Sequence, residues 1–212
     1  MLTKQQEDIL LEKGEMLPLM EEFYSIQGEG HNTGQAAYFI RIGGCDVGCS
    51  WCDVKESWNR KLHPPTLSDH IVENAAKYPS KAVVVTGGEP LMNNMNYLCS
   101  QLKKNNIIRF LESSGAHPFS GDWDWICVSP KKNSPPVESV YKRAHELKVV
   151  IQTVDDFKWA EENAKLVNKE CQLYLQPEWS KVDQMMNEIT EYVMAHPEWK
   201  ISIQSHKYMR IP

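Results

Sequence analysis

Short β-branched or aromatic runs alternate with segments of helical period along most of this chain, and few folds accept that pattern. The runs lie at 37–42, 82–86, 108–112, 125–129, 147–151, 172–176 and 201–204. Between them, Leu67, Ile71 and Ala75 follow Thr66 and Asp69 in a capping-box pattern. Met95, Leu98 and Leu102 follow the Asn93-Asn94 pair; Phe157, Ala160, Ala164 and Val167 follow Asp155-Asp156; Val182, Met185, Ile189 and Val193 follow Ser180. Strand–helix alternation of this kind predicts βα units and a mostly parallel sheet.

Polar or special residues gather just past the strand ends. Examples are Thr86-Gly87-Gly88-Glu89-Pro90, Glu112-Ser113-Ser114-Gly115, Ser129-Pro130-Lys131 and Gln176-Pro177. Parallel barrels build their sites at the C-terminal ends of strands. A full eight-stranded barrel takes about 250 residues, and this chain has 212. The expectation is an α/β fold: an incomplete TIM-like barrel of mostly parallel strands with outer helices. Residues 1–20 read as a helical extension, with its helix at 5–13, and residues 21–212 as a single domain. The sequence shows no repeat, linker or low-complexity segment.

A hydrophobic content of 42% and a charged content of 24% are ordinary for a globular protein. No apolar run approaches the roughly 18 residues of a membrane span. Residues 1–19 are polar and acidic, unlike a secretory signal, so the expected location is cytoplasmic. With 23 basic against 28 acidic side chains the net charge is −5, which argues against phosphate-backbone binding and for a small-molecule substrate.

Three of the six cysteines sit in one loop, Cys45-Asp46-Val47-Gly48-Cys49-Ser50-Trp51-Cys52. Thiolates at C-x3-C-x2-C can hold three corners of an iron–sulfur cube or three positions around zinc. Structural zinc usually draws on two separated pairs, and only one C-x2-C pair is present; His31 and His63 are the nearest fourth ligands. A redox pair at Cys49 and Cys52 leaves Cys45 without a role. Gly43 and Gly44 can let backbone amides approach cluster sulfides. Cys99, Cys127 and Cys171 lie in apolar contexts and read as structural thiols.

The cysteine loop, with Trp51 before its last cysteine, resembles the signature of radical S-adenosylmethionine (SAM) enzymes, and Gly87-Gly88-Glu89-Pro90 resembles their GGEP motif. A narrower resemblance, over residues 22 to 212, is to the 7-carboxy-7-deazaguanine synthases. It rests on Tyr24-Ser25-Ile26-Gln27-Gly28-Glu29-Gly30, Arg41, Trp51-Cys52-Asp53, Ser129-Pro130-Lys131 and the tail Gln204-Ser205-His206-Lys207…Pro212.

The resemblance implies a 4Fe-4S cluster on Cys45, Cys49 and Cys52, with SAM chelating the fourth iron. Trp51, Asp53, Gly87, Gly88, Glu89, Ser129, Lys131 and Gln176 would meet SAM. Ile26, Gln27, Gly28, Glu29, Arg41, Thr86, His206 and Pro212 would frame a pterin. The implied reaction is a lyase-type ring contraction of 6-carboxy-5,6,7,8-tetrahydropterin to 7-carboxy-7-deazaguanine with loss of ammonia, feeding queuosine-type tRNA modification. A one-electron donor such as flavodoxin and a homodimer come with it. In the family a threonine or serine after the Cys-Asp pair often contacts magnesium; Val54 stands there, so a magnesium ion near Asp53 lacks that ligand. Two rival readings are an activating enzyme for a glycyl-radical protein and a zinc-stabilised binding protein without catalysis.

Overall fold

The computed structural model describes residues 2–212. In chain order the elements begin with α1 (Lys4–Lys13), β1 (Met16–Ile26), β2 (Ala36–Ile42), β3 (Pro65–Leu67) and α2 (Ser68–Ala76). Next come β4 (Ala82–Gly87), α3 (Asn96–Lys104), β5 (Ile108–Ser113), β6 (Trp125–Val128) and α4 (Glu138–Tyr141). The last are β7 (Glu146–Ile151), α5 (Asp156–Ala164), β8 (Gln172–Pro177), α6 (Val182–Ala195), β9 (Trp199–Ile201) and α7 (Ser205–Met209).

All strands form one sheet in the order β3-β1-β2-β4-β5-β6-β7-β8-β9. Every ladder from β2 to β9 is parallel, whereas β1 runs antiparallel to both β2 and β3. Among the described residues the edge strands β3 and β9 do not pair, so no ladder there closes the sheet. The loop after β1 reaches the segment after β9 instead: Gly30 N donates to Ser202 Oγ at 2.9 Å and Ser205 N to Gly28 O at 2.9 Å. The sheet therefore curls, and the expected incomplete barrel is the fold found.

Period-two alternation divides the strand side chains between two cores. Ile40, Ile42, Val83, Val85, Leu111, Ile126, Leu147 and Val149 pack with Ile71, Leu98, Leu102, Ala160 and Ile189 from the helices. Ala37, Phe39, Ala82, Val84 and Phe110, with Phe23 and Trp125, fill the barrel interior. At about 25 cal/mol per Å² of apolar area removed from water, the first cluster is the larger stabilising term. The second supports the site.

Three expectations change. The expected boundary at residue 20 falls inside β1, an eleven-residue strand that sequence pattern missed because Pro18 and the Glu21-Glu22 pair interrupt its alternation. The capping box at Thr66 and Asp69 does not form. β1 recruits Thr66 into β3 opposite Leu17, Leu67 caps α2 without a side-chain bond, and Asp69 accepts from Tyr97 Oη instead. The last strand begins at Trp199, earlier than expected, because that indole is buried and donates to Glu161 at 2.8 Å. In α1 the cap is real: Thr3 and Gln6 bond each other's backbone reciprocally.

Cys99, Cys127 and Cys171 are buried as expected. Burial pushes the Cys99 and Cys171 thiols up to about 12.

Candidate active site

One cavity of about 480 Å³ opens at the C-terminal ends of the parallel strands. All three loop cysteines line it, and so does every predicted SAM and substrate residue, from Ile26 and Gln27 on β1 and its loop to His206 and Pro212 in the tail. Residues scattered over the whole chain thus meet in one volume, large enough for a drug-sized ligand.

The cysteine loop is pinned from two sides. Gly44 N donates to Ser57 O at 2.6 Å and Cys45 N to Trp58 O at 3.2 Å, while Cys52 N turns back onto Cys49 O at 3.1 Å. From the other side, Glu89 N donates to Gly44 O at 2.9 Å and Gly88 N to Ile42 O at 2.7 Å. The Gly-Gly pair permits this close approach. Gly87 holds φ +116°, and a Cβ on Gly88 would lie 2.2 Å from the Gly44 carbonyl oxygen.

Burial raises the Cys45 and Cys49 thiols; Glu89 and Cys52 add to the rise at Cys45, and Cys52 and Cys45 to that at Cys49, where Lys131 pulls the opposite way. Three thiols on one partly exposed loop, which repel one another only once ionised, are a donor set that a cationic cluster satisfies. Among the described residues no three Cys, His, Asp or Glu side chains converge tightly enough to hold a single ion. The two histidines offered for zinc are engaged elsewhere: His63 Nε2 meets Glu56 O at 2.8 Å, and His31 stacks on Trp125 at 4.1 Å.

Around the expected SAM position, Lys131 Nζ donates to both oxygens of Ser129 at 2.6 Å and sits 5.3 Å from the Trp51 ring centroid. Burial lowers its pKa. Gln176 accepts from Ser202 Oγ at 2.7 Å. Glu89 is buried and accepts four hydrogen bonds from the chain itself. Leu91 N and Ser113 Oγ reach Oε1, at 3.0 and 2.6 Å, and Ser114 N and Oγ reach Oε2, at 2.8 and 2.5 Å. In this structure it ties the turn after β4 to the end of β5.

Among the residues expected to meet the substrate, Arg41 and Thr86 are register partners across β2 and β4. Gln27 Nε2 donates to Glu112 Oε1 at 3.2 Å, and its Oε1 accepts from Glu29 N at 3.3 Å. Burial holds His206 below its usual pKa. Sequence reasoning missed the buried charge beneath these residues. Lys148 Nζ lies 2.6 Å from Glu29 Oε2 and 2.9 Å from Glu112 Oε2. Burial works to raise Glu29, yet the Lys148 ammonium with hydrogen bonds from Lys148 and Gln204 brings it down to about 2. Burial raises Glu112, and Lys148 only partly offsets that rise. A lysine amid the apolar run 147–151 of a parallel strand is the signal that could have found it. Trp179 was also missed, and Lys207 was named only as part of the tail, with no role; Lys207 donates to Asp53 at 3.1 Å and lies 4.8 Å from the Trp179 ring centroid.

With this geometry in place, similarity to known proteins decides the family. Residues 39–161 match the Radical SAM superfamily. A 7-carboxy-7-deazaguanine synthase of Flavobacterium psychrophilum is 61% identical over the full length of both chains. Another, from Synechocystis sp., is 44% identical, covering 92% of this chain and 93% of its own. This chain belongs to the 7-carboxy-7-deazaguanine synthase family of radical SAM enzymes. The crystal structure of QueE from Escherichia coli superimposes with a TM-score of 0.82 at 29% identity, over 94% of this chain and 99% of that one.

Family membership displaces both the activating-enzyme and the zinc-protein readings. The radical SAM family implies a 4Fe-4S cluster and SAM, and the three thiols on the cavity wall fit that demand. Among the described residues no helix is long and apolar enough to cross a membrane.

Proposed function

We propose that the enzyme converts 6-carboxy-5,6,7,8-tetrahydropterin to 7-carboxy-7-deazaguanine with loss of ammonia, a carbon–nitrogen lyase reaction serving 7-deazapurine and queuosine-type tRNA modification. The observation that carries this reading is the shared cavity. The Arg41 guanidinium, the Gln27 amide and the Glu29 and Glu112 carboxylates line one open cavity whose wall also bears the three cysteines. A flat ring with donor and acceptor edges wants amide and carboxylate partners, and its carboxylate wants an arginine fork.

When bound, the cluster and SAM supply a carbon-centred radical. Cys45, Cys49 and Cys52 would hold the cluster; Trp51 would pack by the adenine of SAM, and Ser129, Lys131 and Gln176 would lie near its ribose and carboxylate. The chain's own part is placement. Gln27 and Glu29 fix the ring edge, Arg41 takes the carboxylate, and Thr86 reaches in from the end of β4. His206 packs directly on Gly28, where an added Cβ would lie 2.3 Å from its Nδ1, so the tail borders the cavity beside the residues that would frame the pterin. Pro212 lines the same cavity.

A magnesium ion here would rest on substrate oxygens, water and the Asp53 carboxylate, because Val54 offers no side-chain oxygen. A flavodoxin-like electron donor, a homodimeric assembly and a cytoplasmic location belong to the same reading and rest on family resemblance alone.

The test is anaerobic reconstitution followed by mass spectrometry with SAM, reductant and the carboxypterin. Formation of 7-carboxy-7-deazaguanine with SAM used catalytically is the expected result. Iron-free protein, or iron-loaded protein that leaves the carboxypterin intact, would refute the reading.

A further inference from the structure

Arg41 is held on two sides by β1. Its Nη1 donates to Glu21 Oε1 at 2.7 Å, and its guanidinium carbon lies 5.1 Å from the Phe23 ring centroid. Phe23 in turn stacks on Phe39, with centroids 5.1 Å apart and 6° between the planes. Phe23, Phe39 and Arg41 all line the cavity. Among the described residues, Glu21 is the one hydrogen-bond partner of this guanidinium, so the Nε and Nη2 edge is left free.

The strand register shows that this contact is built. Leu19 faces Ile42, but the pairing then slips, and Glu21 rather than Met20 faces Arg41. A regular antiparallel ladder would set Met20 opposite Arg41 and send Glu21 to the other face, because side chains alternate with period two. The irregularity at Met20 turns Glu21 and Phe23 inward. Glu22 then takes the outer face, where it accepts from Asn74 Nδ2 at 2.5 Å. Bulges beside active sites characteristically re-aim a side chain in this way.

We propose that Glu21 is a positioning residue: it fixes one end of the Arg41 guanidinium, with Phe23 under its face, so that the free edge meets the substrate carboxylate as a fork. The inference rests on the carboxypterin reading above. Side chains as long as arginine lose substantial rotamer freedom when they are ordered; Glu21 and Phe23 impose that order before substrate arrives. The opposite role, an anion competing with substrate for Arg41, predicts a change of opposite sign.

Steady-state kinetics with the carboxypterin distinguishes the two. Glu21→Ala is expected to raise the KM for the pterin roughly five- to tenfold, about 1–1.4 kcal/mol of binding, with kcat and the KM for SAM nearly unchanged. Glu21→Gln keeps an accepting oxygen toward Arg41 and is expected to stay near the wild-type KM. In an Arg41→Met background, Glu21→Ala should add less than about twofold, because the two side chains act as one unit. An unchanged or lowered KM in Glu21→Ala, or an additive effect in the Arg41→Met background, would overturn the inference while leaving the reaction itself standing. A wild-type enzyme that forms no deazapurine would overturn the reaction, and this inference with it.

Discussion

Lys148 Nζ sits 2.6 Å from Glu29 Oε2 and 2.9 Å from Glu112 Oε2, and the lysine side chain keeps only 5% of its surface exposed. One ammonium therefore joins three parts of the site: the loop after β1, the end of β5 and the middle of β7. Burial alone would lower its pKa, but Cys127, Glu112 and Glu29 outweigh burial and raise it well above the ordinary lysine value. A buried charge with two bonded carboxylates is a fixed element of the barrel, not a mobile side chain.

Lys148→Met should therefore destabilise the fold by about 3–5 kcal/mol, the usual cost of leaving a buried partner uncompensated. Thermal melts would show it. Glu112→Gln with Lys148→Met together should recover part of the loss, because one of the two stranded charges is then gone. If Lys148→Met melts like the wild type, the charge cluster is not what holds Gln27 and Glu29 in place.

Glu29 sets a pH window. Its folded pKa, about 2, lies below the ordinary glutamate value near 4.3. The ionised form is thus favoured by folding, so its contribution is fully present above about pH 4.3 and is lost as pH falls toward 2. Melting temperature should drop through that range in the wild type and drop less steeply in Glu29→Gln. Gln204 Nε2 donates to Glu29 Oε1 at 2.8 Å, so the same acid range should loosen the tail. Identical acid profiles for the two proteins would mean that Glu29 is not the titrating group.

How much of this was readable beforehand depended on whether a residue's neighbours were local. Thr86, Ser129 and Gln176 stood at ends of strands that apolar runs marked clearly, so their convergence followed from parallel topology. The cysteine spacing announced its own chemistry. Glu21 could not be assigned, because its direction depends on an irregularity at Met20 that no pattern of apolar residues encodes. Lys148 was hidden for the opposite reason. Its strand reads as buried, and the lysine makes sense only once Glu29, 119 positions away, is seen to cross the barrel. The failed cap at Thr66 shows tertiary pairing overriding a local signal.

Glu89 offers a test of loop support. Its two oxygens are filled by four protein donors, about the full acceptor capacity of a carboxylate. Glu89→Gln must turn an NH2 group toward Leu91 N or Ser114 N, stranding a buried donor at a cost of about 1–3 kcal/mol. The expected outcome is a lower melting temperature together with weaker SAM binding, since the displaced turn also carries Gly87 and Gly88. Wild-type stability with wild-type SAM affinity would show that the turn does not depend on this carboxylate.

Gly28→Ala addresses the tail. The new Cβ would sit 2.3 Å from His206 Nδ1 and 2.7 Å from His206 Cβ, too close for a rotation of the ring alone to relieve. The start of α7 must move, and with it the bond from Ser205 N to Gly28 O. The KM for the pterin should rise by about tenfold or more, as geometry lost at about 1 Å scale commonly costs, while the melting temperature changes little. Limited proteolysis should cut the tail faster than in the wild type. An unaltered KM with an accessible tail would separate tail docking from substrate binding.

Val54→Thr tests whether a cation belongs beside the cysteine loop. Val54 follows Asp53, whose carboxylate is 57% exposed and meets Lys207 at 3.1 Å, so the position lies at the cavity mouth within reach of water. Magnesium takes oxygen ligands and keeps several waters, and a threonine hydroxyl would add one fixed oxygen to the Asp53 carboxylate and the substrate's own. Turnover measured against magnesium concentration should therefore become more steeply dependent on the ion in Val54→Thr than in the wild type, with half-saturation at lower magnesium. The substitution changes one methyl for a hydroxyl at a partly exposed position, so the melting temperature should move by less than about 1 kcal/mol equivalent of stability. Equal magnesium dependence in the two proteins would place any bound ion away from residue 54.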